Sequence, residues 1–189
     1  MDYAQSIRLK QCWNNKIKPE LRKNITNKKR ELELNDGKLK INMERVEYYE
    51  AETKEKQVKD GYDNEKEIVE EFKLRIKVAK KDICCLSYIY NNDYDNAVKY
   101  FEEYKEVAYE IVDKAALFSN EMRIVSHDET THSIHSKEDA YNQVCLDLKN
   151  TINYQERLIK ILSLILCEGK DQMRAARKMN KRKKNKNKK

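Results

Sequence analysis

Apolar residues recur along much of the chain at alternating intervals of three and four, a pattern that places them on one face of an α-helix. The alternation is strictest in three segments, and we call each row of such residues a seam. The seams are Val69, Phe72, Ile76, Ala79, Ile83, Leu86 and Tyr90, then Phe101, Tyr104, Ala108, Ile111, Ala115, Phe118, Met122 and Val125, then Tyr141, Cys145, Leu148, Ile152, Gln155, Ile159, Leu162 and Leu166. Gln155 is the polar exception in the third seam. The three seams predict three core helices.

The residues between the seams predict how these helices are connected. Asn91-Asn92-Asp93 is short enough for an antiparallel hairpin, and its last residue or Asp95 is suited to cap the second core helix. Ser126–His135 is polar and is expected to form a surface loop. Ser136 is then expected to cap a third helix that runs to Glu168.

The first sixty residues carry a weaker pattern. Pro19 is suited to open a helix at Glu20. Asp36-Gly37 and Gly61 are expected to interrupt helical structure, as is Gly169 near the other end of the chain.

Lys38–Lys59 predicts a helix with a thin apolar stripe, formed by Leu39, Met43, Val46 and Tyr49. Such a helix is marginal by itself. It is expected either to lie along the three core helices or to project as a charged arm that completes a coiled coil with a protein partner.

Composition supports a helical fold, since only three glycines and one proline occur among 189 residues and 39% of residues are charged. We therefore predict an all-α protein of long antiparallel helices. Its bundle or coiled-coil core of three heptad-patterned helices spans residues 61–169. A charged N-terminal helical arm spans residues 1–60, and a basic tail rich in Lys and Arg spans residues 170–189.

Charge is unevenly distributed along the chain. Residues 1–30 hold nine basic and two acidic residues, a net charge of +7; residues 31–169 hold twenty and thirty, a net charge of −10; and residues 170–189 hold eleven and one, a net charge of +10. The total of +7 therefore comes from the two ends of an acidic body. Such ends also permit self-association of one copy's end with another copy's body.

The basic tail is the strongest candidate binding segment. Its candidate residues are Arg174, Arg177, Lys178, Lys181, Arg182, Lys183, Lys184, Lys186, Lys188 and Lys189. They are expected to contact the phosphates of a nucleic acid without reading its bases, or an acidic protein surface. Two further interpretations are a nuclear-import signal at Lys181–Lys184 in a eukaryotic host and a charged end with no specific role. A membrane partner is not expected, because the tail lacks an aromatic or lipid anchor.

No pattern in the sequence predicts a catalytic site or a cofactor. His127, His132 and His135 form a possible metal-binding cluster, but they lie in one predicted loop and a solvated loop is the favoured interpretation. Glu70-Glu71 and Glu102-Glu103 are expected on a solvated face, because each pair lies opposite a seam.

Cysteine and tyrosine residues are expected to serve packing. Cys84-Cys85 adjoins the first seam, where cysteine behaves as a small apolar residue, and Cys145 and Cys167 lie in the apolar third segment. Six of twelve tyrosines fall within Tyr88–Tyr109, where core or rim packing is favoured over a base-stacking platform.

The five cysteines are irregularly spaced, the start of the chain lacks the apolar stretch of a secretory signal, and the longest apolar run is too short to cross a bilayer. We therefore expect an intracellular protein, located in the cytoplasm, in a particle such as a virion, or in the nucleus of a eukaryote.

Two functional hypotheses follow. The first is a non-enzymatic assembly protein of a nucleic-acid-containing particle, such as a virion or phage component or a ribonucleoprotein accessory, whose basic ends contact nucleic acid or an acidic neighbour. The second is a helical adaptor that binds a protein partner through its N-terminal arm, with a tail that only solubilises or targets it.

Overall fold

The computed structural model of the chain describes residues 3–52, 59–125 and 142–167, and all of these residues except 91–93 are helical. The helices are α1 (Tyr3–Cys12), α2 (Lys18–Glu52), α3 (Lys59–Tyr90), α4 (Tyr94–Val125) and α5 (residues 142–167). A π-helical turn, Trp13–Ile17, joins α1 to α2. The all-α class is therefore confirmed. None of the described helices contains a segment long and apolar enough to cross a membrane.

Neighbouring helices run antiparallel. Lys28, early in α2, pairs with Asp82, late in α3. Near the other end of the pair, Oε1 of Glu50, late in α2, lies 4.0 Å from Nζ of Lys66, early in α3. Tyr88 near the end of α3 stacks on Tyr100 near the start of α4, with ring centroids 5.1 Å apart. Both helix pairs are therefore hairpins.

Four helices share one core. One cluster of buried side chains draws on the π-helical turn and on α2, α3, α4 and α5: Trp13, Leu21, Ile25, Ile83, Cys85, Leu86, Ile89, Ala97, Phe101, Leu158, Ile159 and Leu162. A second cluster continues the core along α3, α4 and α5: Val78, Tyr104, Val107, Ala108 and Leu148. Because α5 contributes Leu148 at one level and Leu162 at the other, it runs antiparallel to α4.

The expected core of three helices therefore needs correction. Trp13, Leu21 and Ile25 belong to the N-terminal segment that we predicted as an arm, yet they are at most 9% exposed and pack with residues of α3, α4 and α5. The three residues are separated by polar stretches, so the sequence shows no seam there. The division of the chain at residues 60 and 169 stays a prediction.

The three predicted seams face the core wherever the structure describes their side chains. In α3 the seam residues are buried or half-buried from Val69 to Tyr90. Phe101, Tyr104 and Ala108 of the second seam are buried, and so are Leu148 and Leu162 of the third. Burial of large apolar side chains contributes about 1.5–3 kcal/mol for each one, so the seams contribute a large share of the stability of the bundle.

The predicted turn between α3 and α4 is confirmed. Asn92 adopts the left-handed conformation, with φ of 59°, and its N–H donates to the carbonyl oxygen of Ile89 at 3.1 Å. The N–H of Asp93 donates to the carbonyl oxygen of Tyr88 at 2.9 Å, so the last carbonyls of α3 are satisfied. The Asp93 carboxylate then accepts from the backbone N–H of Asn96 at 3.3 Å and caps α4.

Pro19 does not start the N-terminal helical structure. Helical backbone precedes it from Tyr3 onward, and α2 begins at Lys18. Because proline has no N–H and its ring displaces the carbonyl four residues earlier, the preceding turn widens. The N–H of Lys18 accordingly donates to the carbonyl oxygen of Trp13, five residues away.

Glycine also interrupts less than predicted. Helix α2 continues through Gly37, whose φ is not positive, and α3 begins at Lys59, before Gly61. A helical glycine costs about 1 kcal/mol relative to alanine, and the packing of α2 on α3 on both sides of Gly37 offsets this cost. Gly169 lies outside the described residues.

Candidate functional site

The structure separates the nine basic residues of the N-terminal segment by what they contact. Lys28 faces inward, and its Nζ lies 2.6 Å from Oδ2 of Asp82. Lys18 lies over the ring of Tyr90, with Nζ 5.4 Å from the ring centroid. These two lysines therefore belong to the packing of the bundle rather than to a binding surface.

Four others form two exposed pairs on α2, and together we call them the basic face: Arg22, Lys23, Lys29 and Arg30. Arg22 and Lys29 are seven residues apart, as are Lys23 and Arg30, so each pair lies on nearly the same line of the helix, about 10 Å apart. Within the part of the chain that the structure describes, none of the four forms an ion pair.

The position of the basic face follows from the opposite side of the same helix. Leu21, Ile25 and Lys28 recur at intervals of four and three and point into the bundle. The residues between them must therefore point outward. The fold thus places these four cations on the exposed side of α2, and burial of the inward side sets their position.

The chemistry of the basic face suits phosphate. Arg and Lys side chains bind phosphate oxygens, and their affinity for a nucleic acid depends on the release of condensed counterions. Residues 19–30 include no aromatic side chain that could stack on a base. The face can therefore hold a polyanion by its backbone but offers little to distinguish one base from another.

A second polar arrangement lies inside the bundle. Asp82 of α3 is 4% exposed, and its carboxylate accepts a hydrogen bond from Nε2 of the fully buried Gln155 of α5 at 2.7 Å, in addition to the ion pair with Lys28 of α2. Oε1 of Gln155 has no hydrogen-bond partner among the described residues. The cluster joins three helices at one level, so it fixes their register.

The buried cluster is held by contacts within the bundle. Both carboxylate oxygens of Asp82 are engaged within the bundle, Oδ1 by Gln155 and Oδ2 by Lys28. The sequence already distinguished Gln155 as the polar member of its seam. Asp82 and Lys28 were missed, because each looks like an ordinary charged helical residue until its neighbouring helix is known.

Four of the six tyrosines between Tyr88 and Tyr109 are buried or half-buried, as expected, whereas Tyr94 and Tyr109 are exposed. Tyr104 is 2% exposed, and burial raises the pKa of its hydroxyl. Tyr100 stacks on Tyr88, and the Nζ atoms of Lys81 and Lys99 lie 5.3 and 5.7 Å from its ring centroid. The ring of Tyr100 is therefore already stacked inside the protein and is poorly suited to stack on a base.

The cysteines are free thiols with graded exposure. Cys85 is fully buried and its Sγ donates to the carbonyl oxygen of Ala97 at 3.6 Å, which confirms its packing role. Burial, with a smaller contribution from the nearby Asp82, raises the pKa of this thiol to about 12. Cys84 and Cys145 are half-buried, whereas Cys167 is exposed rather than packed in the apolar third segment.

The paired acidic residues are bound to nearby cations. Glu70 accepts from Lys73 at 2.7 Å and is exposed, as expected for a solvated face. Glu103 departs from that expectation, because it is half-buried and accepts from Lys81 of α3 across the helix pair. This hydrogen bond lowers the pKa of Glu103 and raises the pKa of Lys81.

The remaining predicted site residues lie outside the described residues. They are the histidines His127, His132 and His135 and every basic residue of the tail from Arg174 to Lys189. Among the residues that the structure does describe, no group of three His, Cys, Asp or Glu side chains is placed to hold a metal ion.

Comparison with known proteins finds no match to the chain among protein-family models, curated protein sequences or solved structures. Functional inference therefore depends on the basic face and its surroundings.

Proposed function

We propose that the chain is a non-enzymatic helical protein that binds nucleic acid through its basic ends and takes part in the assembly of a nucleic-acid-containing particle. Two segments contribute in this proposal: the basic face of α2 and the basic tail, residues 170–189. The observation that carries it is the basic face, where Arg22, Lys23, Lys29 and Arg30 point outward from α2 with no acidic partner among the described residues.

The charge of the bundle supports an oriented contact. Residues 31–169 carry a net charge of −10, which repels a polyanion. Attraction is then confined to the basic face and the tail, so a polyanion is steered to these surfaces and kept away from the acidic helices. The acidic body remains available for contacts with neighbouring proteins.

A second candidate function is the helical adaptor that binds a protein partner through residues 38–59. The stripe that we predicted for this contact is partly used inside the bundle, since Leu39 and Val46 are half-buried. The opposite side of α2 nevertheless exposes Ile41 and Tyr48, at 54% and 59%. A contiguous row of exposed apolar side chains on a helix is typical of a protein contact.

Binding of the full chain to a fluorescent DNA duplex at low salt tests the proposal. The test variant carries R22Q, K23Q, K29Q and R30Q. The matched control removes four exposed cations elsewhere, by K80Q, K149Q, R157Q and K160Q. We expect the test variant to lose at least about tenfold in affinity, because each phosphate contact adds to the counterion release.

The control variant is expected to lose about threefold or less, since it lowers the net charge equally but leaves the basic face intact. Equal losses in the two variants would show that only total charge matters and would contradict the role of the basic face. Deletion of residues 170–189 measures the contribution of the tail, and unchanged binding after this deletion would remove the tail from the proposal.

A further inference from the structure

The exposed side of α2 carries an apolar row that the bundle does not cover. Leu34 and Ile41 are seven residues apart and therefore lie along one line of the helix. The two residues are 67% and 54% exposed. The opposite side, with Leu32 and Leu39, is half-buried, so α2 has apolar residues on two sides and the bundle covers only one.

Gly37 lies within this exposed row. Its φ is not positive, and a Cβ atom added there would meet nothing within 4 Å, so neither backbone conformation nor packing inside the bundle requires glycine. Glycine also costs helix stability. A close approach by another backbone is the remaining common use of glycine on an exposed helical face.

Two charged residues of opposite sign lie at equal distances before and after Gly37. Arg30 lies seven residues before it and Glu44 seven residues after it, and both side chains are exposed. Leu34 and Ile41 lie three residues before and four residues after it. A helix with this arrangement is complementary to itself when a second copy is turned end for end.

We propose that the exposed side of α2 is a docking surface for α2 of a second copy of this chain, in an antiparallel pair related by a two-fold axis that passes near Gly37. Leu34 then packs against Ile41 of the second copy, and Arg30 faces Glu44 of the second copy. In this dimer Arg30 is paired, and Arg22, Lys23 and Lys29 of the basic face remain open to phosphate. The two-fold axis repeats each contact, so one surface supplies both halves of the interface.

Other occupants fit this surface less well. Acidic Glu44 and basic Lys38 and Arg45 are mixed along the exposed side of α2, so the surface offers no single sign of charge to a polyanion or an anionic membrane. Lys38 lies beside the row and close to the two-fold axis. It therefore faces Lys38 of the second copy. Its long side chain can extend into solvent, but it makes the contact weaker than an ideal one.

The interface is short, about four helical turns, and falls at the small end of specific interfaces. A weak dimer is therefore expected, with a dissociation constant of about 10–100 µM. Sedimentation velocity of the full chain from about 1 to 500 µM tests this. The sedimentation coefficient should rise with concentration along a monomer–dimer curve.

Matched variants locate the interface. Ile41→Glu should weaken the dimer at least tenfold, whereas Leu164→Glu, which alters a similarly exposed leucine of α5, should leave it unchanged. Gly37→Leu should weaken the dimer while the thermal midpoint of the monomer rises. Arg30→Glu and Glu44→Arg should each weaken it, and the double variant R30E/E44R should recover most of the loss.

Three results would overturn the proposal. One is a wild-type chain that stays monomeric to 500 µM. Another is a dimer that Ile41→Glu and Leu164→Glu weaken equally, which would place the contact elsewhere. The third is a double variant R30E/E44R that dimerises no more strongly than the two single variants. The measurement contains no nucleic acid, so its failure leaves the proposed function of the basic face unaffected.

Discussion

Trp13 of the π-helical turn donates its indole N–H to the side-chain oxygen of Asn92, in the turn between α3 and α4, at 3.2 Å. This hydrogen bond joins residues 79 positions apart in the chain. The acceptor, Asn92, adopts the left-handed conformation in this turn. The N-terminal helical segment is thus anchored to the end of the α3–α4 hairpin, and the basic face that follows Trp13 on α2 is held on the surface of the bundle.

Asn92→Ala should lower the free energy of unfolding by about 2 kcal/mol. The substitution leaves the buried indole N–H of Trp13 without its acceptor. It also places alanine at a positive φ, which costs free energy because alanine has a Cβ atom and no side-chain oxygen to form a local hydrogen bond. Asn92→Gly should cost only about 1 kcal/mol, because glycine tolerates this φ. Urea unfolding followed by circular dichroism measures both. Equal losses would show that the left-handed conformation contributes nothing to the difference.

Gln155→Leu should lower the free energy of unfolding by about 2 kcal/mol, because it removes a buried donor from the Asp82 carboxylate. The matched control is Gln143→Leu, which removes an exposed amide that donates to Asp147 at 2.9 Å. Its effect should stay within about 0.5 kcal/mol. If both variants unfold at the same urea concentration as the wild type, the buried cluster does not stabilise the bundle.

Thiol labelling should follow the exposure of the five cysteines. At pH 8 an alkylating reagent should modify the exposed Cys12 and Cys167 first, and Cys85 only after unfolding. Mass spectrometry of the peptides reads the order. Early modification of Cys85 in the folded protein would contradict its burial.

The raised pKa of the Cys85 thiol makes the free energy of unfolding depend on pH. Its folded-state pKa of about 12 lies above the ordinary value of 9.0, so its contribution to stability is complete below pH 9 and is lost as the pH rises towards 12. Cys85→Ala should remove this part of the alkaline loss. Identical stability curves from pH 8 to 11 for the wild type and the variant, apart from a constant offset, would contradict the shift.

Gly37→Ala should raise the free energy of unfolding of the monomer by about 0.5–1 kcal/mol, because alanine favours the helix and its Cβ meets open space. The measurement is urea unfolding at a protein concentration of about 1 µM, well below the expected dimer. A loss of stability would mean that Gly37 is packed within the bundle.

The sequence predicted those parts of the fold that depend on local pattern. The seams of α3, α4 and α5 repeat apolar residues strictly, and Asn92 and Asp93 are typical turn and cap residues, so these elements could be placed in advance. Trp13 and Leu21 could not be assigned to the core, because too few apolar residues surround them to form a seam. Their burial depends on the surface that three other helices provide.

For the candidate site, the sequence predicted only the net charge of the segment that contains it. Composition showed that the N-terminal segment is basic, but not that Lys18 and Lys28 face the bundle while Lys23 and Arg30 face outward. That distinction depends on which helices lie beside α2. The exposed apolar side of α2 was missed for the same reason, since the stripe through Leu39 was the one assigned to a partner.

The salt dependence of binding tests the central claim most directly. Affinity of the full chain for a fluorescent DNA duplex, measured at protein concentrations below about 1 µM across a series of NaCl concentrations, gives the slope of log affinity against log salt. Replacing Arg22, Lys23, Lys29 and Arg30 by glutamine should make this slope shallower by about 3.6, at about 0.9 for each phosphate that is no longer neutralised. A slope unchanged from the wild type would show that the basic face does not bind phosphates.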